Sequence, residues 1–268
     1  MKKYKADHDL HIHSYLSSCS RDPDQNPGSI LKYAEENGLS DICLTDHFWD
    51  STIPGASKWY APQNYEHIIG SLPLPQSEKV RFHFGCETDL DKYMTLGISP
   101  EAMEKMEFII IPTTHLHMKG FTIDEKDCTI EGRARVYVER LEGVMKMDLP
   151  FEKIGIAHLT CPLIAKGDPD DHLRVLDLIT DDDYKRIFSM IAEKGAGFEL
   201  NFPFTDYAGS RLERVMRPYF IAKECGCLFY FGSDAHHPRE LAGAVELFNA
   251  ISDFLGLTEE NIFRPFKK

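Results

Sequence analysis

The stretch DHDLHIHS, residues 7–14, decides how the rest of the chain reads. Leu10 and Ile12 alternate with His11 and His13, the pattern of a strand. In a strand, residues i and i+2 project to the same side. Both imidazoles therefore leave the backbone together, and two neutral imidazoles side by side begin a divalent-metal site. The expected strand covers residues 5–12, with the pair at its C-terminal end.

Similar residues recur wherever a later strand is expected to end. Residues 41–45 (DICLT) end in Asp46 and His47, and residues 80–86 (VRFHFGC) end in Glu87. Residues 107–112 (EFIIIP) run into Thr113, Thr114 and His115, then His117. Residues 154–157 (IGIA) end in His158, residues 197–200 (GFEL) in Asn201, and residues 227–231 (CLFYF) in a segment holding Asp234 and His236. Helices are expected between them, at 29–37, in a short piece opened by Ser99 and Pro100, and at 132–147, 181–194, 210–224 and 238–255. In the 181–194 helix, Tyr184, Ile187, Phe188 and Ile191 share one face. Residues 14–27 and 163–180 read as connections. Residues 48–75 are long and irregular, a lid or specificity insertion if not a plain surface excursion.

Strands alternating with helices or long loops imply a parallel sheet. Seven such units predict a closed barrel related to the eight-unit TIM barrel, a single domain over residues 1–268. In such barrels the site is built from the C-terminal ends of the strands. Closure brings the strand-end residues to one mouth. That cluster is rich in nitrogen and oxygen ligands and lacks cysteine. It suits zinc, manganese or iron, in more than one copy.

The formal net charge of −13 over 268 residues argues against long nucleic acid as a partner. A small phosphorylated metabolite remains compatible, because bound cations reverse the local field. The seven cysteines are scattered without metal-ribbon spacing. They read as reduced thiols, and the expected location is cytoplasmic. No apolar run approaches the roughly 18 residues of a membrane span.

The motifs DLHIHS (residues 9–14), LTDH (44–47), GCE (85–87), TTH (113–115), AH (157–158) and GSDAH (232–236) resemble the polymerase and histidinol phosphatase (PHP) family of metal-dependent phosphoesterases. The resemblance implies a distorted (β/α)7 TIM-like barrel, in agreement with the seven units, and two to three divalent ions. It implies a first ion on His11, His13, Glu87 and Asp234, with Glu87 bridging to a second on His115 and His158. A third would use His47 and His236. Where family members add an Asp or His after the first motif, this chain has Ser18 and Cys19. The third site is then weak, dependent on Cys19, or empty.

By the same resemblance, Glu87 would be the catalytic bridging ligand of a metal-held hydroxide that attacks a phosphomonoester. Histidinol phosphate leads as substrate. A nucleotide phosphoesterase or exonuclease-like activity and a non-catalytic metal-binding module are the alternatives. Asp9 and Asp46 are expected to orient imidazoles. Lys119, Arg133, Arg135 and Arg211 are candidates to hold phosphate. His8, His67, His172 and His237 read as surface or loop histidines, and His83 as a strand histidine outside the site. No general acid is identified.

Overall fold

The computed structural model describes residues 3–201 and 203–266. Its strands are β1 (His8–Ile12), β2 (Asp41–Leu44), β3 (His47–Phe48), β4 (Arg81–Phe84), β5 (Cys86–Thr88), β6 (Ile109–Pro112), β7 (Ile154–Ala157), β8 (Gly197–Leu200) and β9 (Leu228–Phe231). The helices are α1 (Pro27–Asn37), α2 (Tyr65–Ile68), α3 (Pro100–Lys105), α4 (Ile130–Met145), α5 (Asp171–Leu178), α6 (Asp181–Lys194), α7 (Ser210–Glu224), α8 (Pro238–Leu241) and α9 (Ala244–Leu255). Local signals set several of these ends. Asn26 caps α1 by accepting from the Ser29 N–H, and Gly38 ends it at φ 68°. Thr180 and Gly195 do the same for α6.

Every paired strand is parallel. Strands β1-β2-β4 form one sheet and β3-β5-β6-β7-β8-β9 another. The seven expected strand positions are all present, but the second and third are each broken. The chain leaves the first sheet after Leu44 and after Phe84, and it enters the second at His47 and Cys86. Two strand positions thus stitch the two sheets into one distorted (β/α)7 barrel. The β1 and β9 edges meet through an Ile12–Ala235 bridge, with the Asp234 N–H donating to the His11 carbonyl at 2.7 Å. Below that bridge, side chains replace the ladder. The Phe231 N–H donates to His8 Nε2 (3.0 Å), and the Ser233 N–H donates to Asp9 Oδ1 (2.9 Å).

Two expectations fail here. Residues 163–180 were expected to be a connection but contain α5, whose His172, Leu173, Val175 and Leu176 are buried. The density of aspartate hides that apolar face. The last helix is two helices, broken at Gly243 with φ 81°. Among the described residues no helix is long and apolar enough to cross a membrane.

Inside the barrel, Leu10, Cys43, Phe108, Ile110, Ala157, Tyr230 and Phe263 form a small core. A Cβ on Gly155 would lie 2.5 Å from Tyr230 Oη and 2.6 Å from Phe108 Cζ, so the absent side chain is what lets those rings meet. The C-terminal tail closes the base. The Phe263 N–H donates to the Phe229 carbonyl at 2.7 Å, and Phe266 stacks on His83 at 3.4 Å. His8, expected at the surface, is buried in this base, where its Nδ1 lies 2.8 Å from Asp7.

His83 sits between Asp41 (3.0 Å) and Glu107 (2.8 Å). Burial opposes its charge, but these two carboxylates outweigh burial and raise its pKa above the ordinary 6.5. A raised folded-state value means that the protonated form favours folding. That stabilisation is complete below about pH 6.5 and is lost as pH rises through the folded value. We therefore expect His83→Asn to cost about 1–3 kcal/mol near pH 6 and clearly less near pH 9. Urea midpoints at both pH values test this, and an equal loss at both would refute it.

Candidate active site

The C-terminal strand ends converge on one carboxylate. The β3–β5 register sets His47 directly beside Glu87. Glu87 Oε2 lies 2.7 Å from His47 Nδ1, 3.3 Å from His13 Nε2 and 3.7 Å from His11 Nε2. Its other oxygen, Oε1, faces His158 Nε2 at 3.7 Å and His115 Nε2 at 4.0 Å. Asp234 divides its oxygens similarly: Oδ1 is 3.1 Å from His13 and 3.4 Å from His11, while Oδ2 is 3.2 Å from His158. His236 completes the group, its ring stacked 4.2 Å from that of His13.

The backbone is bent to achieve this. Leu10 packs in the barrel interior while its neighbour His11 joins the site, which a regular strand forbids. The β1 register slips between Asp9 and Ile12, and that irregularity turns both inward. His158 and Asp234 both adopt φ 55°, a left-handed conformation that costs an ordinary residue about 1 kcal/mol or more. Gly232 permits a close approach, since a Cβ there would lie 2.4 Å from Glu199 Oε1 and 2.5 Å from His11 Cβ.

A second layer of groups aims the imidazoles. His11 Nδ1 meets Glu199 Oε1 at 2.6 Å, and the other oxygen of Glu199 accepts the His158 N–H at 3.0 Å. His115 Nδ1 meets Asp89 Oδ2 at 3.0 Å, and Asp89 Oδ1 accepts from buried Arg140 at 2.9 Å. Ser17 Oγ donates to Asp46 at 2.6 Å, so it accepts the proton on His13 Nδ1 at 3.0 Å. His236 Nδ1 donates to the Asp234 carbonyl at 2.7 Å. In His11, His13 and His115 these bonds leave Nε2 for the cluster.

Asp46 thus reaches an imidazole only through Ser17, and Asp9 reaches none. Asp9 accepts instead from the Ser233 N–H and from Tyr33, tying β1 to the loop after β9. The sequence reading did not single out Glu199 or Asp89. The available signal was an acidic residue inside the apolar strand GFEL, which must find a partner when buried.

The site's chemistry fits cations. Both Glu87 oxygens and His158 Nε2 are buried without a hydrogen bond of acceptable geometry among the described residues. Such orphans are costly in a protein interior. The ligand atoms of His13, His47 and His236, of His11, His13 and Asp234, and of His11, Glu87 and His158 each lie within 4.8 Å of one another. His11 and His13 Nε2 are 3.0 Å apart, close to the spacing of two nitrogens that share one ion at about 2.1 Å.

Burial disfavours charge on these imidazoles, but Asp234 and Glu87 lift His13 to about 9, and Glu199 and Asp234 raise His11. His158 is likewise raised, by Asp234 against burial. Burial and neighbouring histidines instead push His236 down to about 3. Cations would displace the protons that the carboxylates otherwise hold there. Cys19 lines the cleft but belongs to none of those close groupings. Burial, then Glu87 and Asp234, push its thiol up to about 12.

Above the cluster opens a cleft of about 650 Å³, walled by Trp59, Tyr60, Met118 and Leu163 and edged by Lys166 and Arg239. Trp59 and Tyr60 come from the long 48–75 segment, and both rings pack on His47. His117 lines the cleft beside His115. His237 also reaches it, but His67 bonds to the Leu16 carbonyl and His172 is buried against Tyr207. None of the expected phosphate-holding cations lines this cleft, though Arg211 lines a smaller adjoining cavity with His158 and Asp234. Arg133 is buried on backbone carbonyls, Arg135 pairs with Asp127 and Glu139, and Arg211 pairs with Asp170. Lys119 is exposed beyond its lining. Asn201 lines a smaller adjoining cavity with His158 and Asp234.

A parallel α/β barrel whose strand ends gather histidines around buried carboxylates defines a metal-dependent hydrolase. The chain belongs to the PHP domain family, whose model matches residues 9–202, and is thereby a metal-dependent phosphoesterase. Histidinol phosphate phosphatase from Lactococcus lactis subsp. lactis Il1403, solved with zinc, L-histidinol and phosphate, is similar in fold. The similarity covers 95% of each chain with a TM-score of 0.62 and 18% identity. A probable 2-pyrone-4,6-dicarboxylic acid hydrolase from Acinetobacter baumannii, solved with citric acid, covers 94% of this chain and 96% of its own. Its TM-score is 0.47 and its identity 15%. No curated protein matches the chain in sequence.

Glu199 holds His11 and His158 together, so its neutral amide should loosen both. Glu199→Gln is expected to weaken metal affinity by about 10–100-fold with the fold retained. Chelator-competition titration with circular dichroism measures this. Unchanged affinity would remove Glu199 from the site's support.

Proposed function

We propose that the protein hydrolyses a small phosphomonoester. The observation that carries this reading is the division of labour at Glu87 and Asp234, each with one oxygen toward His11 and His13 and the other toward His158. In this reading Glu87 and Asp234 would hold the ions together with His11 and His13 at a first position, His115 and His158 at a second, and His47 and His236 at a third. Two to three divalent ions, of zinc, manganese or iron, would acidify a water and neutralise phosphate oxygens when bound.

The chain's own groups do the rest. Glu199, Asp89 and Ser17 keep their imidazoles in one tautomer and one orientation, so little reorganisation is needed at reaction. Trp59 and Tyr60 cover one side of His47 and limit water at the floor. Histidinol phosphate is the first substrate to test, because a phosphatase of that compound shares the fold.

Glu87→Ala should remove most bound metal and lower phosphate release by at least about a thousandfold. Metal content by mass spectrometry and phosphate release from an aryl phosphate and histidinol phosphate check this. Absence of release with manganese, zinc or iron in the wild type would instead favour a non-catalytic metal-binding module.

A further inference from the structure

The cleft carries positive charge that the cluster on its floor does not use. Arg239, exposed on α8, makes neither an ion pair nor a hydrogen bond among the described residues. Every other arginine there faces a carboxylate or donates to a carbonyl. Lys166, on the loop after β7, lines the same cleft and also has no partner among the described residues.

The nearby carboxylates already accept other hydrogen bonds. Glu240 accepts the backbone N–H groups of His236 (2.7 Å) and His237 (3.2 Å). Asp22 accepts the Asp24 N–H at 3.0 Å and faces His237 Nδ1 at 3.4 Å. Glu87 and Asp234 belong to the floor. In a chain of net charge −13, Arg239 and Lys166 put two cations without an ion pair at one cleft, with Glu240 on the same lining and Asp22 acting on Arg239 through space. Trp59, which is 37% exposed, Met118 and Leu163 line the same cleft.

Building on the phosphomonoesterase reading, we infer that Arg239 and Lys166 bind a second anionic group, a carboxylate or phosphate, carried by the substrate's leaving group. The substrate class is then a phosphomonoester with an anion at each end and an apolar or planar middle against Trp59. Arg239 can grip such a group with two parallel N–H donors, and Lys166 adds a point charge. A leaving group that bears an ammonium meets two cations here, and the one carboxylate beside them, Glu240, already holds two backbone N–H groups. That ranks histidinol phosphate below dianionic-ended esters.

The test uses the metal-loaded enzyme and three aryl phosphates with the same scissile bond: 4-carboxymethylphenyl, 4-methylphenyl and 4-aminomethylphenyl phosphate. The wild type should favour the carboxylated ester over the neutral one by about tenfold in kcat/KM, and the aminated ester should be the poorest. Arg239→Ala and Lys166→Ala should each collapse the carboxylated-to-neutral ratio, mainly through KM, and Arg239→Lys should keep part of it. The ratio is internal to each preparation, so partial misfolding cannot mimic the result. A wild-type ratio near one, or a ratio untouched in both alanine variants, overturns the inference while leaving the phosphomonoesterase reading intact. No turnover of any of the three esters overturns both.

Discussion

One buried carboxylate organises the upper half of this barrel. Glu87 has no solvent exposure, yet neither oxygen has a conventional hydrogen bond among the described residues. A charge removed from water is tolerated only when opposite charge surrounds it closely. Here that charge comes from imidazoles contributed by β1, β3 and the loops after β6 and β7. Each must arrive within a few tenths of an ångström, and the local backbone yields to that demand. The slip in β1 and the left-handed φ values at His158 and Asp234 are concessions of secondary structure to the site.

Those concessions hold because a second ring of polar groups over-determines them. Arg140 is buried, and it donates to the carbonyls of Thr113, Asp91, Thr122 and Leu90 as well as to Asp89. It therefore fixes the loops after β5 and β6 and, through Asp89, the ring of His115. Glu199 likewise links two strand ends, one through a side chain and one through a backbone N–H. Such groups favour a single arrangement over a pliable one. The repulsion stored among clustered imidazoles and carboxylates is what a divalent cation relieves on binding, so the shell's rigidity becomes metal affinity.

Much of the barrel was legible because strand ends leave a mark in one dimension. Apolar runs such as IIIP and IGIA are followed at once by His115 or His158 within a few residues, and a parallel barrel sends all such ends to one side. The structure brings together the residues that this register named. What was not legible depends on register between strands or on burial by distant segments. Nothing in DICLTDHF marks the passage from one sheet to the other after Leu44. His8 and His172 lie in polar sequence yet are covered by residues far along the chain, Phe231 and Tyr207. Asp9 lies two residues before His11 and Asp46 one before His47, but their partners are backbone and hydroxyl groups. Glu199 and Asp89 occupy the orienting positions because they follow the inward-facing alternation of their own strands.

The distribution of charge separates two tasks that one acidic surface could not combine. Outside the cleft the arginines of α7, Arg211, Arg214 and Arg217, are spent on Asp170, Asp177 and Asp181, which knit α5 and α6 to α7. Pairs this exposed contribute little individually. At the cleft the balance inverts: carboxylates are held at the floor, where metal ions would more than neutralise them, while Arg239 and Lys166 stand at the edge without partners among the described residues. An anionic substrate therefore meets two cations without ion pairs at the cleft whose floor is Glu87. Net charge and local charge of opposite sign are thus complementary, since the first discourages non-specific binding of polyanions and the second draws a small anion to the floor.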